Sequence, residues 1–247
     1  MERTSSHCLA VADAAKDAAM GQCCEALVFD GTHRSSRPVF ALMQHLQRLA
    51  DGRWQACREW RGVGDDLIAH EQVWWQRGLQ RSVGELPAIG EQTQAVCAER
   101  GCLTALRSHR TGGVSRERSL TLPHAAATLG SMPLLIAQQW TTLMRGRPVL
   151  ASYLVLKVQR AATVRLRRES TVAGQTVVAV TPTNLLLRAL FGSTRYVFET
   201  DTPRPLRIEG LLDPRDLKPN GRWREYRGTI AFGTALDLSG LVDGAQP

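Results

Sequence analysis

Between Tyr153 and Phe232, apolar and charged residues change places at nearly every step, as in Thr163-Val164-Arg165-Leu166-Arg167-Arg168 and Arg195-Tyr196-Val197-Phe198-Glu199. Successive side chains of an extended strand point to opposite faces, so a period of two sorts such a segment into an oily side and a guanidinium side. A helix would spread the same residues around its axis. The pattern predicts a mainly β protein with a few helices, built as a curved antiparallel sheet or open β-barrel. One short apolar helical turn, Leu185–Phe191, interrupts the strands.

Turn residues divide this half further. The divisions predict one long strand over Ala151–Arg168, a turn at Ala173-Gly174, and strands over Gln175–Thr181, Thr194–Thr200, Leu206–Leu212 and Arg222–Phe232. Asp213–Gly221, with Pro214 and Pro219, is expected to be a loop. Upstream, Arg53–Arg77 reads as paired strands, with Trp54, Trp60, Val73, Trp74 and Trp75 as strand formers and Arg61–Asp66 as the hairpin connection. These tryptophans are expected to fill a barrel interior or its rim, each indole N–H seeking a partner. Val39–Ala50 fits either a helix or a strand. Gly78–Gly113, punctuated by Gly84, Pro87, Gly90 and Gly101, reads as loops with short strands at Gln94–Ala98 and Leu103–His109. Arg116–Leu122 follows as a further strand.

The clearest helix is Met132–Arg145. Ser131 is placed to cap it, and Pro133 suits its first turn. Met132, Ile136, Trp140 and Leu143 share one face, and Gly146 with Pro148 ends it. A helix near residues 132–145 with that face is expected to cover the open side of the sheet. Cys8–Met20 is Ala-rich, so residues 1–25 are read as an N-terminal helical or frayed segment and 26–247 as a single β-rich domain. At 247 residues and 43% hydrophobic, the chain can build one large core.

The net charge is +8, and Ala151–Phe232 holds 14 Arg and Lys against 7 Asp and Glu, a net of +7. The excess therefore lies on the sheet, either as a solvated outer face or as an anion-binding surface. The side chains that alternation places there include Arg165, Arg167, Arg207 and Arg224. No apolar run approaches the roughly 20 residues that span a bilayer as a helix. The apolar run Cys8–Ala12 is followed at once by Asp13, Lys16 and Asp17, so the start does not read as a signal peptide.

Chemistry-bearing motifs are sparse. Gly62-Val63-Gly64 lacks the third glycine of a nucleotide fingerprint, and His70-Glu71 is followed at 74 by Trp rather than a second zinc-ligating His. His7, His33, His45, His70, His109 and His124 are scattered, so neither a metal site nor a cofactor is expected. Cys57 with His70 on the neighbouring strand is the nearest approach to a nucleophile pair, and an ordinary packed Cys is the competing reading. Asp65-Asp66 and the pair Asp213 and Asp216 fit turns, where Asp bonds its own backbone. Arg222–Arg227 mixes arginine with aromatics, which suits either base stacking or an amphipathic strand with cross-strand Arg/Glu pairs, the latter preferred. Cys97 and Cys102 are placed to meet across a turn through Gly101; the alternative leaves all six cysteines as thiols in small apolar sites. No catalytic residue is assigned.

Four features together resemble a family of bacterial envelope proteins classed as a domain of unknown function. They are the Met132–Arg145 helix with Trp140 and Gly146, the long strand after it, Leu185-Leu186-Leu187 before Tyr196-Val197-Phe198, and Pro205-Leu206-Arg207-Ile208-Glu209-Gly210. The resemblance covers roughly Gly130–Phe232. It implies an open half-barrel similar to lipocalins and lipoprotein carriers, a periplasmic or outer-membrane-associated place, and no catalytic motif. It also implies an export signal, which residues 1–25 do not show.

Two functions follow as expectations. The first is a non-enzymatic binding protein holding a lipid or other apolar ligand against Trp54, Trp60, Trp74, Val164, Leu166, Tyr196, Phe198, Leu206 and Ile208, with the helix around Trp140 as cover. The second is a basic interaction module for an anionic membrane surface or, less favoured, nucleic acid. The ligand's identity, the compartment and the oligomeric state are not readable from the residues.

Overall fold

The computed structural model describes residues 21–31, 37–62, 64–98, 101–108, 114–217, 223–234 and 236–242, without the side chains of 114, 213–217 and 223–226. The expectations for Cys8–Met20 and for the side chains of Asp213, Asp216 and Trp223–Tyr226 lie outside the described residues. The backbone of 213–217, expected as the start of a loop, instead continues the strand from Pro205, where Asp216 and Leu217 pair with Arg224 and Trp223.

Among the described residues, fifteen strands form one curved, unclosed sheet. Eight come first: β1 (Gln22–Asp30), β2 (Phe40–Arg48), β3 (Trp54–Arg61), β4 (Leu67–Trp75), β5 (Leu79–Leu86), β6 (Glu91–Ala98), β7 (Gly101–Ser108) and β8 (Val114–Thr121). Then follow β9 (Ala126–Ala127), β10 (Val149–Val155), β11 (Arg160–Val172), β12 (Gln175–Pro182), β13 (Thr194–Glu199), β14 (Pro205–Leu217) and β15 (Trp223–Phe232). Every neighbouring pair is antiparallel except the short β9–β10 contact. The order runs β8 to β1, then β15 back to β9, so among the described residues the β1–β15 ladder alone joins the two halves of the sheet.

The alternation resolves the Val39–Ala50 ambiguity in favour of a strand: Phe40, Leu42 and Leu46 of β2 are buried with Ala41 and Arg48 exposed. The long strand expected over Ala151–Arg168 is instead a hairpin. It turns through a short 3-10 segment, Leu156–Val158, and Gln159, which adopts φ +50° without any Gly, Asn or Asp nearby to announce a turn. The next turn is as expected: Ala173 and Gly174 both take positive φ, the two-residue geometry whose twist matches that of antiparallel strands. Three full strands occupy most of the segment read as loops after Gly78, because Gly84 and Gly101 sit inside ladders rather than between them.

β8 and β9 are the two edges, and the chain crosses from one to the other through Leu122–Ala125. A side chain also bridges the gap. The buried Gln159 amide donates to the carbonyls of Thr104 (3.1 Å) and Arg116 (2.8 Å) on β7 and β8. The opening between the edges is thus pinned by hydrogen bonds that belong to no ladder.

Two short helices replace the single one expected: α1 (Met132–Gln138) and α2 (Trp140–Met144), broken where Gln139 leaves helical geometry. Ser131 does not cap α1 with its side chain; its Oγ accepts instead from the Thr128 N–H (2.9 Å), closing the tight turn before the helix. Pro133 lies in the first turn and Gly146 follows α2 with φ +75°, both as expected. No helix among the described residues is long and apolar enough to cross a membrane.

Cys97 and Cys102 face each other in the β6–β7 ladder, Cα atoms 4.1 Å apart, and form a disulfide. Closing so short a loop restricts the unfolded chain modestly. Cys97→Ser with Cys102→Ser is expected to lower the unfolding free energy by about 2 kcal/mol. Urea denaturation of the double variant checks this, and a change below about 0.5 kcal/mol would leave the bridge without a stabilising role.

Candidate functional site

The concave face is where the sequence places a ligand, and the structure fills it. Trp60, Val164, Leu166, Tyr196, Phe198 and Ile208 point inward and are buried in one continuous cluster with α1 and α2. Met132, Leu134, Leu135, Ile136 and Ala137 of α1 are each 0–1% exposed. Trp140 meets Phe198 edge-on, with ring centroids 5.3 Å apart. Trp54 packs against the same cluster at its margin. The cover helices therefore use the inner side chains as their own packing surface. The indole N–H groups of Trp60 and Trp75 are buried without an acceptor among the described residues, contrary to the expectation that each finds one.

Two of the expected lining residues are elsewhere. Trp74 lies on the outer face, opposite Arg81 in the β4–β5 ladder, with that guanidinium 5.0 Å from its ring centroid. Consecutive strand residues cannot share a face, and Trp75, fully buried, takes the inward place. Leu206 sits at a register irregularity where Phe198 pairs with Pro205, and is half-buried outside the core cluster.

The outer face carries a different arrangement. The expected helical turn is present as α3 (Leu185–Phe191), between β12 and β13. A seven-residue helix in water is unstable by itself, and none of its residues is fully buried. Specific end contacts hold it instead. Asn184 Oδ1 accepts from the N–H groups of Leu186 (2.9 Å) and Leu187 (3.1 Å). At the far end the Arg227 guanidinium, reaching from β15, donates to the Leu190 carbonyl (3.0 Å), and Gly192 closes the turn at φ +70°. What this capped helix shows to solvent is apolar: Leu185 is 70% exposed, Leu186 68% and Leu190 59%. At the helical angle per residue these side chains and Ala189 span an arc of about 140°.

Beside α3 lies a cleft of about 310 Å³, walled by Arg165, Arg167 and Glu169 of β11, Ala179 and Thr181 of β12, and Arg188 of α3. Register explains the grouping: Arg165 is opposite Thr181 and Arg167 opposite Ala179, so all four share the outer face. Glu169 is held by Arg195 at 2.9 Å. Arg165, Arg167 and Arg188 form no ion pair among the described residues. Arg207, also expected to meet an anion, is paired with Glu209 two residues along its strand. Arg224's side chain lies outside the described residues.

Other candidate chemistry resolves into structure. His70 does lie on the strand next to Cys57, with Sγ and Nε2 3.3 Å apart, but Cys57 is disulfide-bonded. Asp65 occupies a turn at φ +65°, where its carboxylate accepts from Arg61. Burial pushes the Cys24 thiol up to about 12, so it stays protonated at neutral pH.

None of the family models matches this chain, and no curated protein matches it significantly. A solved structure described as a DUF1329 family protein from Desulfovibrio piger ATCC 29098 is similar to it at 14% identity and a TM-score of 0.32, covering 97% of this chain and 92% of that one.

Proposed function

We propose that this chain is a non-enzymatic binding protein that docks on an anionic membrane surface through α3 and the arginines beside it. The observation that carries this reading is a helix capped at both ends whose leucines are turned to water. Folded proteins seldom keep a contiguous apolar patch exposed without a use for it. The neighbouring Arg165, Arg167 and Arg188 select the occupant, because guanidinium groups bordering leucines match lipid phosphates bordering acyl chains. A second copy is a poor fit. In a two-fold contact the patch meets itself, which sets arginines against arginines. Nucleic acid would engage the arginines and leave the leucines in water. A ligand held against the concave face would have to displace α1 from side chains it already buries.

Each leucine that passes fully from water into the acyl region contributes about 2 kcal/mol. Half-insertion of three corresponds to roughly 3 kcal/mol, or about a hundredfold in partitioning. The protein is therefore expected to co-sediment with vesicles of phosphatidylcholine and phosphatidylglycerol, and much less with phosphatidylcholine alone. Combining Leu185→Ser, Leu186→Ser and Leu190→Ser is expected to weaken this about a hundredfold. Raising the ionic strength should weaken it too, since the arginine contribution is screened. Failure to bind the anionic vesicles, or binding indifferent to both salt and the leucines, would overturn the reading.

A further inference from the structure

We infer that the cleft beside α3 is a specific site for the phosphodiester headgroup of an anionic glycerophospholipid; this rests on the membrane-surface reading and names the part of the lipid the protein grips. Some arginines of this chain are held by carboxylates and so are not free to meet an anion. Arg195 holds Glu169, Arg204 reaches Asp237 and Glu199, Arg207 holds Glu209, and Arg61 holds Glu59 and Asp65. Arg165, Arg167 and Arg188 have no carboxylate partner among the described residues, as Arg48, Arg107, Arg145, Arg160 and Arg168 also have none; what sets the three apart is that they converge on one concave space.

The rest of the wall is arranged for an anion. Its one carboxylate, Glu169, is already neutralised by Arg195. The Thr181 hydroxyl is engaged with Ser193 (2.8 Å), and the Thr183 hydroxyl donates to the Thr163 carbonyl (3.0 Å). Ala179 and Pro182 contribute no side-chain acceptor. What is left to meet a ligand is a set of N–H donors in planar forks, suited to paired phosphate oxygens. The volume lies at the small end of the range for small-molecule sites, about 300–1,000 Å³.

The position of Arg188 argues for a lipid over a free phosphate. It stands one turn after Leu185, so the two side chains are neighbours on the helix surface. A molecule whose phosphate meets Arg188 has its apolar part beside an exposed leucine. Inorganic phosphate would use the arginines alone.

Calorimetric titration of the full chain tests this with three probes: short-chain phosphatidylglycerol below its micelle-forming concentration, its deacylated headgroup glycerophosphoglycerol, and inorganic phosphate. Saturable one-to-one binding of the phosphatidylglycerol is expected, with both other probes weaker. Arg165→Gln, Arg167→Gln and Arg188→Gln together should weaken phosphatidylglycerol binding about tenfold or more, with the circular dichroism and melting temperature unchanged. The triple leucine-to-serine chain should lose vesicle adsorption yet bind glycerophosphoglycerol as the parent does. Inorganic phosphate binding as tightly as phosphatidylglycerol would overturn the lipid assignment. Vesicle adsorption that survives the arginine substitutions, with no saturable binding of the soluble probes, would overturn the site and leave membrane docking standing. Failure of the parent chain to adsorb to anionic vesicles, with phosphatidylglycerol still bound, would remove the docking reading alone.

Discussion

Gly228→Ala is expected to cost about 4 kcal/mol or more of unfolding free energy, in the extreme tail of single-substitution effects. Gly228 lies in β15, opposite Asp30 of β1 on one side and Gly210 of β14 on the other. A Cβ at this position would run into the Phe29 carbonyl group, with its carbon only 3.1 Å away and the Asp30 Cα at 3.4 Å. Those are backbone atoms, so no change of rotamer relieves the contact. Moving them means moving β1, and β1–β15 is the ladder through which the two halves of the sheet meet. Gly146→Ala is the control. It has positive φ, which Gly228 does not, and nothing stands within 4 Å of its missing Cβ, so it should cost only about 1–2 kcal/mol of backbone strain. Urea denaturation of both variants separates the effects. A loss at Gly228 no larger than that at Gly146 would mean that β1 shifts cheaply to admit the methyl group, and that the close passage does not set the cost.

That close passage explains part of what sequence could not reveal. The alternation around Val164, Arg165, Leu166 and Arg167 is local, so it announced both the sheet and the two faces of β11. Which strand lies beside which is not local. The joining of β15 to β1 brings together segments nearly the whole chain apart, and no residue type signals it except Gly228, whose missing side chain leaves room for the Phe29 carbonyl. Gly84 misled for a related reason. It reads as a break, but sits within β5 opposite Thr93, whose Oγ1 would lie 2.8 Å from an added Cβ. Trp74 and Trp75 are adjacent, so composition cannot decide which one faces inward; the register does.

The candidate site was half legible for the same physical reasons. Arg165 and Arg167 follow from a period of two. Arg188 does not, because it reaches the cleft from a helix rather than from the sheet. The leucines of α3 were visible as an apolar helical turn, and sequence reasoning ordinarily places such residues inside. Their exposure depends on the cap contacts from Asn184 and Arg227, and Arg227 comes from a strand not consecutive with the helix. Likewise, a Trp-bearing cover helix and an apolar sheet face are equally consistent with a hollow and with a packed core. Only the distance between them decides, and Trp140 rests on Phe198.

The second large effect is expected at Glu71, where alanine should cost about 3–5 kcal/mol. Glu71 lies on β4, largely buried. It accepts hydrogen bonds from Thr128 Oγ1 (2.9 Å) and Ser82 Oγ (3.4 Å), and lies 3.5 Å from the buried Arg58 guanidinium. Thr128 in turn accepts from the Ser131 N–H at the entry to α1 (3.2 Å). Gly130 belongs to this turn, and any side chain there would collide with Glu71 and Arg58. The carboxylate thus seats the start of α1 on the N-terminal half of the sheet, while Trp140 in α2 rests on β13 in the other half. Glu71→Ala takes the carboxylate away from a buried guanidinium and the acceptor away from Thr128. Glu71→Gln keeps an acceptor but not the charge, so it should recover part of the loss. Thermal unfolding orders the three proteins, and near-ultraviolet circular dichroism reports whether Trp140 keeps its packing. A loss below about 1 kcal/mol for Glu71→Ala, the range of a solvated surface pair, would mean that apolar contacts alone hold the helices across the concave face.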